Sequence, residues 1–213
     1  MTSVNWMTTS RADVVASLYF SDPKTTSNGM KLIDLAFNGK QVVLQTPQLI
    51  APFGASDKFE APGKFKLLLR LAPTKPGEFE KARVDQFIRT LKALDEAVID
   101  HVFLHQESVL GVSGKSKELI ADKYSPLVKV KEGRENALDF KFDTKFEVYG
   151  PNKEAKTIED ITPGSLNVCL VRLTGIWANS KGFGVLAKCV QVMTTPGVAE
   201  KKISDFAIVD IEE

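Results

Sequence analysis

Arg172 and Lys188 lie in two apolar, β-branched runs, 167–178 and 182–193, on either side of the polar stretch Asn179-Ser180-Lys181. Strand-forming composition flanking a short polar turn predicts a β-hairpin. Folded back about Ser180, the hairpin sets Arg172 directly opposite Lys188. Like charges paired across a ladder repel one another, so a strand face that carries them suits an anionic ligand. Phosphates met by Lys or Arg, with bases stacked on aromatic rings, make up the chemistry of nucleic-acid binding. The cations expected on outward strand faces or turns are Arg172, Lys188, Lys181, Lys66, Arg70, Lys129 and Lys141. The rings available are Trp177, Phe183, Phe53, Phe59 and Tyr124. In the same register Trp177 faces Phe183, Gly175 faces Val185, Leu173 faces Ala187 and Val171 faces Cys189, which forms an apolar face. Trp177 and Phe183 are then either a cross-strand aromatic pair or, near the hairpin tip, a platform for a base.

Other chemistries find less support. Gly114-Lys115-Ser116 ends like a phosphate loop, but the earlier glycine of that pattern is Val109 here, and the segment follows a helical stretch. A turn accounts for it. His101 and His105 fall on one side of a helix, without the glutamate of a zinc-protease pattern or a nearby cysteine. They read as a solvated helix end. No cluster of histidine, carboxylate and nucleophile has catalytic spacing, so no catalytic residue, metal or cofactor is expected. An enzyme is the second class of reading; a β-barrel interaction protein without nucleic acid is the third.

Composition is permissive. The chain has 213 residues, 43% apolar and 26% charged, as in ordinary globular domains, and suits one domain with a sizeable core or two small ones. No apolar run is long enough to span a bilayer, and residues 1–10 do not form a signal peptide, so the expected location is cytosol or nucleus. Cys169 and Cys189 then read as reduced core thiols. Net charge is +1, unevenly spread. Residues 200–213 set Lys201 and Lys202 against Glu200, Asp205, Asp210, Glu212 and Glu213, a net of −3. The expected division is a body over 1–199 and an acidic tail over 200–213 that competes for the body's basic groove. With Phe206, Ile208 and Val209 interleaved, the same stretch also reads as a last strand.

The elements that must position these residues are several short strands and one long helix. Strand signals cover 12–20, 30–37, 41–45, 64–71 and 138–149, with Asn38-Gly39 a hairpin turn. In 64–71, Phe65, Leu67, Leu69 and Leu71 make one face and Lys66, Leu68 and Arg70 the other; in 138–143, Leu138, Phe140 and Phe142 point inward and Asp139, Lys141 and Asp143 outward. Residues 46–63, rich in Pro and Gly, read as a functional loop. Val84, Phe87, Ile88, Leu91, Leu94, Val98 and Val102 recur at helical spacing, predicting a helix over about 76–110 that packs one stripe on the sheet and ends near Gly111. Residues 115–123 add a short helix. The fold class is a strand-rich α+β domain, a closed or partly open barrel being the economical way to hide strand edges.

Particular motifs resemble a known family. Pro163-Gly164-Ser165, Leu173-Thr174-Gly175-Ile176-Trp177 and Gly182-Phe183-Gly184-Val185 resemble the C-terminal signature of the single-stranded DNA-binding proteins of nucleocytoplasmic large DNA viruses, a group related to the short-tailed bacteriophage type. Pro47-Gln48-Leu49, Pro52-Phe53-Gly54 and Tyr124-Ser125-Pro126-Leu127-Val128-Lys129 are similar too. The resemblance implies an OB-fold-like β-barrel with a helix inserted between strands and a closing C-terminal hairpin. It implies sequence-independent binding and protection of single-stranded DNA in replication, recombination or repair, with no enzymatic activity. It also implies an acidic tail that contacts a polymerase or helicase, and allows a homo-oligomer; RNA in place of DNA is the alternative ligand.

Overall fold

The computed structural model describes residues 16–57, 64–130, 133, 136–143 and 146–197, with backbone alone for 141–143. Phe59, the acidic stretch 200–213 and the division at residue 199 lie outside the described residues. The fold is a strand-rich α+β domain built on one sheet of thirteen described strands and a long helix.

In chain order the strands are β1 (Leu18–Phe20), β2 (Lys24–Thr25), β3 (Lys31–Phe37), β4 (Lys40–Gln45), β5 (Leu49–Ala51), β6 (Ala55–Ser56) and β7 (Lys64–Arg70). Helices α1 (Glu78–Leu104), α2 (Gln106–Leu110) and α3 (Lys117–Ala121) follow. Then come β8 (Tyr124–Ser125), β9 (Ala137–Asp143), β10 (Glu147–Tyr149), β11 (Ala155–Lys156), β12 (Ser165–Asn179) and β13 (Gly182–Thr195). Of the strand expected over 12–20, Leu18–Phe20 is strand. Asn38 and Gly39, at φ 49° and 70°, make the expected turn between β3 and β4.

The hairpin β12–β13 organises everything else. Along its free edge β12 pairs in turn with β5, β4 and β3, while β13 pairs with β10, β9 and β8. Because β5 also pairs with β7 and β7 with β9, the pairings run β12–β5–β7–β9–β13 and return to β12. Two seams of this ring are joined by a single residue pair each, Ile50 with Arg70 and Lys188 with Lys141, so the barrel is not fully closed. The segment after β8 fills the second seam: the backbone of Lys129 exchanges both hydrogen bonds with Ala137 at 2.8 and 3.0 Å.

The hairpin register corrects the expected one. Val171–Cys189, Arg172–Lys188 and Leu173–Ala187 pair as expected, but Asn179 pairs with Gly182, leaving a two-residue turn, and Trp177 pairs with Gly184 rather than Phe183. Gly175 pairs with Leu186 rather than Val185. A bulge at Thr174 absorbs the one-residue difference, and a second on β13 at Val190 shifts the register back. Each bulge inverts the side-chain alternation. On β12, Cys169, Val171 and Leu173 are buried below the bulge, and Ile176 and Ala178 above it.

That inversion lets one hairpin serve two clusters. The barrel core gathers Leu44, Leu49, Leu67, Leu69, Leu138, Phe140, Val171, Leu173 and both cysteines, which are free. A second cluster joins Ile33, Ile176, Ala178 and Phe183 to Val98, Val102, Val109 and Ile120 of the helices. Each fully buried large apolar side chain contributes about 1.5–3 kcal/mol. Helix α1 spans both, with Val84, Phe87, Leu91 and Leu94 on the barrel and Val98 and Val102 on the second cluster. It starts at Glu78, after Gly77, and breaks at His105 (φ −116°, ψ 28°) instead of running to Gly111. The break turns Val109 of α2 onto the second cluster, and Gly111 at φ 69° caps α2.

Candidate nucleic-acid interface

Ladder partners stand side by side across a sheet, so the backbone register alone brings basic residues into line. Arg172 of β12 pairs with Lys188 of β13, Lys188 with Lys141 of β9, and Lys141 with Lys66 of β7. Four basic residues therefore occupy consecutive positions across four strands, at steps of about 5 Å. The Lys66 ammonium is 2.9 Å from Asp139 of β9. The Nε of Arg172 is buried and has no hydrogen-bond partner among the described residues. A buried donor on a cation is costly to leave unmade.

A second row lies four residues along β9. Lys129 pairs with Ala137, Ala137 with Arg70 of β7, and Arg70 with Ile50 of β5, so two basic residues flank Ala137. The Lys129 ammonium donates to Ser125 Oγ at 3.0 Å. Ser125 pairs with Gly184, which in turn pairs with Trp177. A Cβ on Gly184 would stand 3.1 Å from both the Ser125 backbone oxygen and Trp177 Nε1, so the missing side chain makes room for β8 as well as for the indole. Half-buried Trp177 therefore shares the outer face with Arg172 and Lys188, about 13 Å from the row along β13.

Two expected ring platforms are corrected. Phe183 is 0% exposed in the second cluster and has no face for a base. Tyr124 packs against it, ring centroids 5.2 Å apart, and donates its hydroxyl to Asp95 Oδ1 at 2.5 Å. Asp95 also accepts the Leu127 backbone N–H at 3.2 Å. Burial lifts the Asp95 carboxyl to about 6 against the opposing pull of the Tyr124 bond, and pushes the Tyr124 hydroxyl up as well. Tyr124 is thus a strut between α1 and the segment that fills the seam. Lys181 is exposed in the hairpin turn, away from both rows, where Asn179 Oδ1 accepts its backbone N–H at 2.8 Å.

The other motifs take structural places. His101 stacks on Phe20 at 4.1 Å with the His105 ring 4.6 Å away, and burial lowers its imidazole to about 4; this is a half-buried joint, not a solvated helix end. Ser116 of Gly114-Lys115-Ser116 caps α3 by accepting the Leu119 N–H. Among the described residues, no group of three or more His, Cys, Asp or Glu is placed to hold a metal, and no helix is long and apolar enough to cross a membrane. Sequence reasoning missed Asp95 and Asp139. The outward alternation of β9 pointed to Asp139, whereas nothing local marked Asp95 as buried.

No family model matches the chain, and no curated protein sequence matches it. Among solved structures it is similar to the single-stranded DNA-binding protein from bacteriophage Enc34, with TM-score 0.45 and 13% identity over 87% of this chain and 96% of that one. The same phage protein in complex with ssDNA gives 0.40 and 12%, over 83% and 94%. The single-stranded DNA binding protein gp2.5 encoded by bacteriophage T7 gives 0.36 and 13%, over 80% and 100%. Likenesses of this size decide nothing about what this chain binds.

Proposed function

We propose that this protein binds single-stranded DNA without regard to base sequence, and that it does so without catalysing a reaction. The observation that carries the reading is the row Arg172–Lys188–Lys141–Lys66, four basic residues in register across four strands. Asp139 offsets the charge of Lys66, while like charges that neighbour one another across the ladder repel. A polyanion laid across the strands turns that repulsion into affinity. Lys129 and Arg70 extend the phosphate path, and Trp177 offers an aromatic surface beside it. Single strands fit better than duplex, because stacking on a ring requires an unpaired base.

The family suggested by the sequence motifs, and duties in replication, recombination or repair, belong to the same proposal. So does a role for the acidic residues 200–213 as a competitor for the basic rows and a contact for replication proteins. Titration of a fluorescent oligo-dT and its duplex form at two salt concentrations tests the central claim. Preference for the single strand is expected, with log K falling by about 0.7 per contacted phosphate for each tenfold rise in salt, or about 3 for four contacts. Equal affinity for duplex, or none for either, refutes it.

A further inference from the structure

Phe53 is 68% exposed, yet the turn that carries it is tightly held. Ile50 pairs with Arg70 of β7, while Ala55 and Ser56 pair with Leu67 and Lys66. Four residues, 51 to 54, therefore oppose two, Leu68 and Leu69, and the strand must loop out. Ala51 O accepts N–H groups from both Gly54 (3.2 Å) and Gly164 (2.8 Å), and Ala55 N–H donates to Ile161 O at 2.9 Å. Gly54 sits at φ +65°, where a Cβ would lie 2.4 Å from Ile161 O, so the backbone of the turn is pressed onto the connector before β12. A loop fixed this firmly has no need of an exposed ring for its own stability.

The ring's position supplies a reason for it. The first cationic row continues past Lys66 to its partner Ser56, three residues from Phe53. Outward-facing Lys66 and Arg70 lie on β7 either side of Leu68, alongside the loop. The exposed aromatic thus stands at the β7 end of the phosphate path, opposite the end nearest Trp177. We propose that Phe53 is a base-stacking platform for the single strand whose phosphates cross the row. This rests on the proposed function and adds a second aromatic subsite to it. Because the backbone of the turn is held and the ring is solvent-facing, stacking exchanges water on an apolar face for a nucleobase without reordering the loop.

The test compares wild type, Phe53→Ala and Phe53→Trp on oligo-dT and on an abasic deoxyribose-phosphate strand of equal length. Stacking lost on alanine substitution corresponds to roughly 5- to 150-fold in affinity per base. Phe53→Ala is therefore expected to bind oligo-dT at least about fivefold more weakly, with Phe53→Trp restoring wild-type affinity and all three binding the abasic strand alike. The melting temperature should not move. Equal oligo-dT affinity for wild type and Phe53→Ala overturns the inference while leaving the function standing. A matching loss on the abasic strand also overturns it, since the ring would then act by shaping the loop. A wild-type protein that binds neither strand removes the underlying function.

Discussion

Asp95, in the middle of α1, accepts the Tyr124 hydroxyl at 2.5 Å and the Leu127 backbone N–H at 3.2 Å, fastening the seam segment to the helix through one carboxyl group. Burial raises this carboxyl from 3.8 to about 6, with Lys129 partly opposing the shift and Glu96 adding to it. Below about 3.8 both folded and unfolded chains hold the proton. Between there and about 6 the unfolded chain releases it first, so stability falls as pH rises through this window, by on the order of 3 kcal/mol. Asp95→Asn keeps an acceptor for Tyr124 and removes the titration. Urea midpoints from pH 4 to pH 7 should show wild type losing stability relative to Asp95→Asn as pH rises; parallel curves would contradict the assignment.

Arg172→Ala and Lys188→Ala should each weaken oligo-dT binding and lower the salt slope by about 0.7, one phosphate contact apiece. For Arg172→Ala, folding should be unchanged or stabilised by up to about 1 kcal/mol, because repulsion across the ladder is relieved. Fluorescence titration and thermal melts measure both. Loss of the fold with unchanged affinity per folded molecule would remove these residues from the interface.

On the proposed function, Asp139 competes with DNA for Lys66, its ion-pair partner at 2.9 Å. Asp139→Asn should therefore tighten single-strand binding at low salt, by roughly fivefold, the equivalent of about 1 kcal/mol for this half-exposed pair. Lys66→Ala should weaken binding, because it removes a cation and uncovers the Asp139 carboxylate beside the row. Binding curves for the two variants beside wild type in low salt should show shifts of opposite sign.

The hairpin separates a core ring, Phe183, from one on the outer face, Trp177. Phe183→Ala should destabilise the fold by about 3–5 kcal/mol, as large core truncations do. Gly184→Ala puts a methyl group 3.1 Å from both Trp177 Nε1 and the Ser125 backbone oxygen, and should reduce DNA affinity per folded molecule as well as lowering the melting temperature. Phe183→Ala that melts like wild type, or Gly184→Ala that binds like it, would contradict this division.

How far the sequence reached depends on where each decision was local. Alternation along β7 and β9 correctly put Lys66 outward and Leu67, Leu69, Leu138 and Phe140 inward, because period-two patterning is a property of each strand alone. The pair Arg172–Lys188 was found despite two errors that cancel: the turn is one register step tighter than assumed, and Thr174 bulges by one residue. Nearer the tip nothing cancels, so Trp177 and Phe183 were set on one face when they lie on opposite ones. The alignment of Lys66 and Lys141 with Lys188 depends on which strands become neighbours, which composition and spacing do not encode. Tyr124 carries the same ring and hydroxyl whether it meets a base or a buried carboxylate, and only its contact with Asp95 tells the two apart.

The central position of β12 also sets a timetable. Its Cys169 N–H bonds to Thr46 Oγ1, 123 positions earlier in the chain. At a synthesis rate of about 5–20 residues per second, β4 and β5 wait roughly 6–25 s for the strand that completes them. Contacts of such separation make folding slow, and unpaired edges are open to misassociation in the interval. The basic row is equally late, since Lys66 and Lys141 reach the ribosome's exit well before Arg172 and Lys188. A nascent chain therefore carries no assembled basic row, which appears only when the hairpin β12–β13 zips between edges that have been waiting for it.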